Sequence, residues 1–352
     1  MSNFGGSVLA KVGFAMKAVD PGKDGKTSLL AQEPPLIAFA RQRSQRSPAS
    51  LDGSPASFDA PADPSGKFIL APGARVAEHY EIGPIIGAGS MGIVYKARHV
   101  ELGQPVAIKV IRPDVARDSS TWRRFSREAR ALAAIHNKHA VRVLDAGTLD
   151  SGLRYVVMEL LTGCNLRVLL QDGKGLPVPQ AVDYASQVCS ALGDAHRLNI
   201  VHRDLRPENI FAAKYRALPP TIKLLDFGMA LFLDDAGQLT LTGRPGISPE
   251  YLSPEQLRDP RAVDPRSDLW AVGVLLYELL AGHTPCHGQN MAQICLNIAQ
   301  GALPRLDDAC PHLPSGLVHV IHRCLQVDAS HRPQTADDLG TALEPFSSRH
   351  FT

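Results

Sequence analysis

Apolar residues along this chain change their spacing several times, and each change predicts an element. Ile93-Val94-Tyr95-Lys96-Ala97-Arg98 alternates in the manner of a half-buried strand, and β-rich segments at about 79–86 and 93–98 flank a stretch of glycines. Pro105-Val106-Ala107-Ile108-Lys109-Val110 is a short apolar run interrupted by one lysine, again of strand length. Past a cap at Ser119 or Ser120 the period lengthens: Trp122, Phe125, Ala129 and Leu132 follow at spacings of 3, 4 and 3, which predicts an amphipathic helix to Ile135. Arg154-Tyr155-Val156-Val157-Met158-Glu159 reads as a strand running into a linker at Leu160 to Gly163. Thr221-Ile222-Lys223-Leu224-Leu225 reads as a strand that delivers Asp226 at its end. The longest apolar run, Leu269 to Tyr277, is too short to cross a bilayer.

Residues 41–66 break this pattern. Arg, Gln, Ser, Pro, Ala and Asp dominate there and large apolar residues are almost absent, so burial cannot repay the entropy of ordering. We expect a disordered Ser/Pro/Ala-rich tail over 1–77, a folded domain over 78–347 divided near 160/161, and a short tail at 348–352. The first tail holds nine Lys/Arg against six Asp/Glu, and its Arg41 to Arg46 patch reads either as a solvated arm or as a contact for acidic partners.

Composition narrows the classes. With 44% hydrophobic and 20% charged residues, 352 residues can bury a sizeable core in about two domains. A net charge of +2 argues for no particular partner, we expect no nucleic-acid partner, and no signal peptide is evident. The six cysteines form no CxxC pair and the thirteen histidines no zinc spacing, which predicts reduced core thiols and a cytoplasmic protein.

The chemistry concentrates in two segments. Val201-His202-Arg203-Asp204-Leu205-Arg206-Pro207-Glu208-Asn209 is followed, 22 residues after Asp204, by Asp226-Phe227-Gly228. Mg²⁺ takes one or two protein carboxylates together with phosphates and water, which fits Asp226 with Asn209 and leaves Asp204 as a base. An Asp-Phe-Gly tripeptide alone reads as a turn after a buried strand; its order and spacing behind the first segment make the difference. Ile86-Gly87-Ala88-Gly89-Ser90-Met91-Gly92-Ile93-Val94 has the GxGxxGxV form, in which backbone amides can approach phosphates. The same glycines could open a dinucleotide fold or a plain hairpin. A dinucleotide fold needs a helix directly after them, and here a strand follows.

These segments, with Val106-Ala107-Ile108-Lys109, resemble the eukaryotic-type protein kinase family. The resemblance implies an α+β, two-lobed kinase fold, with a small β-rich lobe carrying one key helix and a larger, mainly helical lobe. It implies Asp204 as catalytic base, Arg206, Asn209 and Lys109 as catalytic partners, and Asn209 and Asp226 as metal ligands. It places ATP on Ile86 to Val94, Ala107 and Lys109. Glu128 is implied as the partner of Lys109, with a solvated charged face as the bland reading. Met158 would guard the back pocket, and the Glu159 carbonyl and Leu161 amide would bond adenine; a core strand ending in a turn is the alternative there. Glu255 in Ser253-Pro254-Glu255 and Arg332 are expected to form a buried ion pair.

Gly-Ala-Gly-Ser-Met-Gly and Leu144-Asp145-Ala146-Gly147 are similar to bacterial eukaryotic-like Ser/Thr kinases in particular. The implied reaction is Mg·ATP-dependent phosphorylation of Ser/Thr in protein substrates, with Mn²⁺ as a substitute ion and a transient kinase-domain dimer for autophosphorylation. Thr240 and Thr242 are the candidate phosphosites, or else ordinary loop threonines. The alternatives are a pseudokinase scaffold, which would lack Lys109, Asp204, Asn209 or Asp226, and a small-molecule kinase, which would lack the activation segment. Two positions depart from the family: Ile247 stands for a glycine, and Arg206 for the lysine of Ser/Thr kinases. Guanidinium and ammonium differ in geometry, so restoring lysine is expected to speed transfer.

Overall fold

The computed structural model describes residues 69–89, 92–112, 133–215, 219–227, 248–259 and 263–348. The tail up to residue 68, the predicted helix with Trp122, Phe125, Glu128, Ala129 and Leu132, the loop residues Ser90 and Met91, and the segment with Gly228, Thr240, Thr242 and Ile247 lie outside them.

The small lobe is an antiparallel sheet of six strands: β1 (Arg75–Val76), β2 (Tyr80–Gly89), β3 (Gly92–His99), β4 (Pro105–Ile111), β5 (Val143–Thr148) and β6 (Arg154–Glu159). Their order is β1-β2-β3-β4-β6-β5. Alternation along β3 buries Ile93, Tyr95 and Ala97 against Ile82, Ile108, Val110 and Val157, as its period required. Register then fixes the chemistry. Val94 pairs with Lys109 and Ala107 with Met158, so the glycine loop, the lysine and the strand running into the 160–163 linker share one surface. Register shifts between Ile82 and Ile85 and between Ile85 and Gly87 bend β2 where the glycines begin. Upstream of residue 78, Ile69 and Leu70 pack on this core, Val76 is buried in it, and the Leu70 amide donates to the Tyr95 hydroxyl at 2.9 Å.

The large lobe holds a small antiparallel sheet, β7 (Gly163–Asn165), β8 (Ile210–Ala213) and β9 (Thr221–Leu224), beside helices. The helices that frame the site are α1 (Leu166–Leu169), α2 (Val178–Arg197), α3 (Pro254–Arg258) and α4 (Pro265–Ala281); α5 (Met291–Gln300), α6 (Leu306–Ala309), α7 (Ser315–Cys324) and α8 (Ala336–Leu343) complete it. On α2, Ala181, Val182, Ala185, Val188, Cys189, Leu192 and Ala195 recur at helical spacing and are buried. The apolar run from Leu269 to Tyr277 lies within α4, whose residues from Ser267 to Leu280 are all buried, so it reads as apolar all round. The Asp264 side chain caps the helix by accepting from the Arg266 amide, Pro265 occupies its first turn, and Gly282 ends it at φ 80°. Among the described residues no helix is long and apolar enough to cross a membrane. All six cysteines are free thiols; four are buried, and burial pushes Cys286 up to about 12.

Candidate active site

The central segment is the loop between α2 and β8. His202 is fully buried, and its Nε2 lies 2.8 Å from the Leu225 carbonyl, tying the loop to the residue before Asp226. The backbone amides of His202 and Arg203 donate to the two carboxylate oxygens of Asp268, at 2.8 and 2.9 Å. Arg203 sits at φ 67°, a conformation that costs energy for a residue with a Cβ and persists where its surroundings over-determine it. Asp268, 1% exposed on α4, supplies that constraint together with its 2.8 Å contact to His196 Nε2. Gln256 on α3 adds a bond from its side-chain amide to the Arg203 carbonyl at 3.0 Å. α3 is itself fixed by a capping box between Ser253 and Gln256.

Beyond Arg203, the Asn209 side-chain amide donates to the Asp204 carbonyl at 2.8 Å and to its Oδ2 at 2.9 Å. An amide that gives its N–H to Asp204 turns its own oxygen outward, the orientation a metal ligand needs. Burial pushes the Asp204 carboxyl above its ordinary range, while the charges of Arg206 and His202 and the Asn209 bond pull it back. Arg206 donates through Nε to Glu208 Oε2 at 2.9 Å. Burial alone would lower the Arg206 guanidinium, but the carboxylates of Glu208 and Asp204 raise it instead.

Asp226 approaches from the end of β9 at φ 57°, and its Oδ2 lies 2.8 Å from Lys109 Nζ, in an ion pair that spans the two lobes. Lys109 is 5% exposed. The expected partnership with Glu128 lies outside the described residues. At the linker, the Glu159 carboxylate takes the Lys223 ammonium at 2.7 Å and the Arg142 amide at 2.9 Å, which fastens the strand leading to Asp226 to the linker. Met158, Glu159 and Leu161 are all partly exposed there.

The glycines of the loop divide by what they meet. A Cβ on Gly92 would lie 2.1 Å from the Val110 carbonyl oxygen, so close strand packing requires glycine there. Among the described residues, a Cβ at Gly89 would meet nothing within 4 Å, and one at Gly87 only ordinary contacts with Val94. Neighbouring protein therefore does not demand glycine at 87 and 89, whereas a phosphate drawn against the backbone would. That cradle, the Lys109 ammonium, and the oxygen donors of Asp226 and Asn209 fit a nucleotide triphosphate with a hard divalent cation.

At the rim, Arg332 holds Glu255 through two bonds, at 2.7 and 2.8 Å, and lies 5.1 Å from the Trp270 ring. The pair expected from the sequence is thus in place. Sequence reasoning missed the roles of Asp268, Gln256 and Glu208, whose residue types carry no signal until the chain folds back on the loop.

A β-rich small lobe whose buried lysine meets a carboxylate of a mainly helical lobe defines the two-lobed protein kinase fold. The protein kinase domain model matches residues 80–341, and the chain belongs to the protein kinase family. It is 36% identical over 279 residues to the serine/threonine-protein kinase pkn3 of Myxococcus xanthus, an alignment covering 77% of this chain and 50% of that one. It is 34% identical to the serine/threonine-protein kinase PknB of Mycobacterium leprae (76% and 43% covered) and 35% to PrkC of Bacillus subtilis (76% and 40%). The chain thus spans half or less of the length of these relatives. The crystal structure of the Mycobacterium tuberculosis PknI kinase domain superposes with a TM-score of 0.62 at 26% identity, covering 79% of this chain and 100% of that one.

Proposed function

We propose that the chain is an ATP-dependent protein serine/threonine kinase. The observation that carries this reading is the 2.8 Å pair of Lys109 with Asp226, formed beside an Asp204 that Asn209 holds in place. Bound Mg·ATP would supply the phosphoryl group and the cation that spreads its charge. Asp204 accepts the proton of the acceptor hydroxyl, and its raised pKa makes it a better base than an exposed aspartate. Lys109 releases part of its hold on Asp226 to bind phosphate oxygens, and Asp226 and Asn209 present oxygen atoms to the metal. Arg206 places positive charge next to the base. The Pro249–Tyr251 turn and α3, anchored by Glu255 and Arg332, form the end of an activation segment, which supports a protein substrate over a small molecule.

Serine or threonine specificity is supported by the Leu205-Arg206-Pro207-Glu208-Asn209 sequence and by the printed names of the relatives. Dependence on ATP supports a cytoplasmic site of action. Autophosphorylation at Thr240 or Thr242, through a transient dimer, belongs to the same proposal. The test is incubation of purified protein with Mg and γ-labelled ATP and a generic basic protein, followed by phosphoamino-acid analysis. Label on Ser or Thr, lowered at least about 100-fold in Asp204→Asn, is expected; equal labelling by the Asp204→Asn protein would overturn the assignment.

A further inference from the structure

Next to Asp204, Arg206 leads into a chain of three further charged side chains and one phenol that no step above uses. Glu208 bridges two guanidinium groups: its Oε2 accepts from Arg206 Nε, and its Oε1 from Arg167 Nε, each at 2.9 Å. Arg167, on α1, has two further directions. Its Nη1 donates to Glu278 Oε1 near the end of α4, and its Nη2 donates to the Tyr251 hydroxyl at 2.8 Å. Tyr251 in turn donates to the other oxygen of Glu278. One planar fork thus joins α1, the catalytic loop, α4 and the end of the activation segment.

The charges balance, two cations against two carboxylates, and each group depends on the others. Glu278 is 3% exposed, so without Arg167 it would be a buried charge with, among the described residues, the Tyr251 hydroxyl against it. Burial by itself would raise Glu208, yet Arg206 and Arg167 together hold it below its ordinary range. Lysine reproduces the fork only in part, because its three donors diverge from one nitrogen and cannot span the acceptors that Nε, Nη1 and Nη2 reach around a planar guanidinium.

Resting on the kinase reading above, we propose that Arg167 is a positioning residue for phosphoryl transfer: by holding Glu208 it sets Arg206 against Asp204. Because the same fork grips Tyr251, that setting exists only when the end of the activation segment is docked. Arg167 touches neither nucleotide nor acceptor. It acts by fixing the angle of a carboxylate that fixes the angle of Arg206, and small misplacements at a transfer site are costly in rate.

The test measures single-turnover and steady-state phosphorylation for the parent, Arg167→Met and Arg167→Lys, each with Arg206 intact and as Arg206→Ala. Arg167→Met is expected to lower kcat about 10- to 100-fold while KM for ATP stays within about twofold. Arg167→Lys should recover part of the loss. In the Arg206→Ala background Arg167→Met should cost about threefold or less, since the effect passes through Arg206. Hydrogen exchange gives a readout that needs no turnover: amides of residues 202–209 should exchange at least about 10-fold faster in Arg167→Met, in the Asp204→Asn protein as well. Thermal melting selects folded variants; if Arg167→Met melts below the assay temperature, Arg167→Lys carries the same comparisons. A folded variant with parental kcat and parental exchange overturns the proposal, and so does an equal loss in both backgrounds. A parent without Asp204-dependent transfer would instead overturn the kinase reading, and exchange would still decide the role of Arg167.

Discussion

Asp204 and Arg206 set the proton chemistry of the site between them. Burial raises the Asp204 pKa above 3.8, and the nearby Arg206 charge counteracts it by favouring the carboxylate. A base works only when deprotonated, so kcat/KM should fall as pH drops through that pKa. Arg206→Ala removes a cation that stabilises the carboxylate, so the acid limb should move to higher pH as kcat drops at least about tenfold. A pH–rate profile of the two proteins checks both; an acid limb that stays in place would separate Arg206 from Asp204. The structure also alters the expectation for lysine at this position. Sequence alone predicts that the family's lysine would restore rate, but Glu208 here accepts from the guanidinium Nε, a donor lysine lacks. Arg206→Lys is therefore expected to slow single-turnover transfer a few-fold. The candidate residues could be named from their spacing, whereas the adaptation of Glu208 to an arginine could not, because side-chain angles are decided by neighbours.

Among the elements, the glycines at the ends of β2 and β3 and the anchor of α3 give separate tests. Gly92→Ala would drive a Cβ to 2.1 Å from the Val110 carbonyl oxygen, whereas Gly89→Ala meets open space among the described residues. Gly92→Ala should thus lower the melting temperature by several degrees, as a strained substitution costing about 1–3 kcal/mol would. Gly89→Ala should leave melting unchanged and raise KM for ATP several-fold; parental ATP binding in that variant would show that the cradle is not used. The Glu255–Arg332 pair makes a prediction about acid. Burial would raise Glu255, but Arg332 and Ser267 hold it down at about 2, below the ordinary 4.5. A carboxyl depressed on folding stabilises the protein above its unfolded value, and that contribution is lost as pH falls from about 4.5 toward 2. Arg332→Met should lower stability at pH 7 by about 3 kcal/mol or more, and the loss relative to the parent should shrink toward pH 3; denaturant melts at the two pH values read it. Strand alternation and the 3.6-residue period of α2 were visible in the sequence. The Leu269 to Leu280 stretch of α4 shows no such face, because it is buried on every side.

For the whole molecule, the small lobe begins within the segment that sequence composition assigns to the tail. Ile69, Leu70 and Val76 contribute to its core, so a chain starting at Gly66 should melt with the full chain and keep its kcat. Starting at Ala77 should lower the melting temperature by roughly 5–10 °C, from the loss of about three buried apolar side chains. Equal melting of the two truncated chains would show that those contacts contribute nothing. The sequence by itself determined the fold family, the order of chemical groups and the catalytic candidates, because the groups within residues 202–209, and those within the glycine loop, each lie a few residues apart, where local spacing is geometry. Only the tertiary structure decided the pairings across long separations: Lys109 with Asp226 between lobes, Arg167 with Glu278 at 111 residues' distance, and Asp268 with the amides of His202 and Arg203 at 66 and 65. No periodicity encodes such pairs. They form when two lobes with separate apolar cores close long stretches of chain and leave particular charges facing each other away from water.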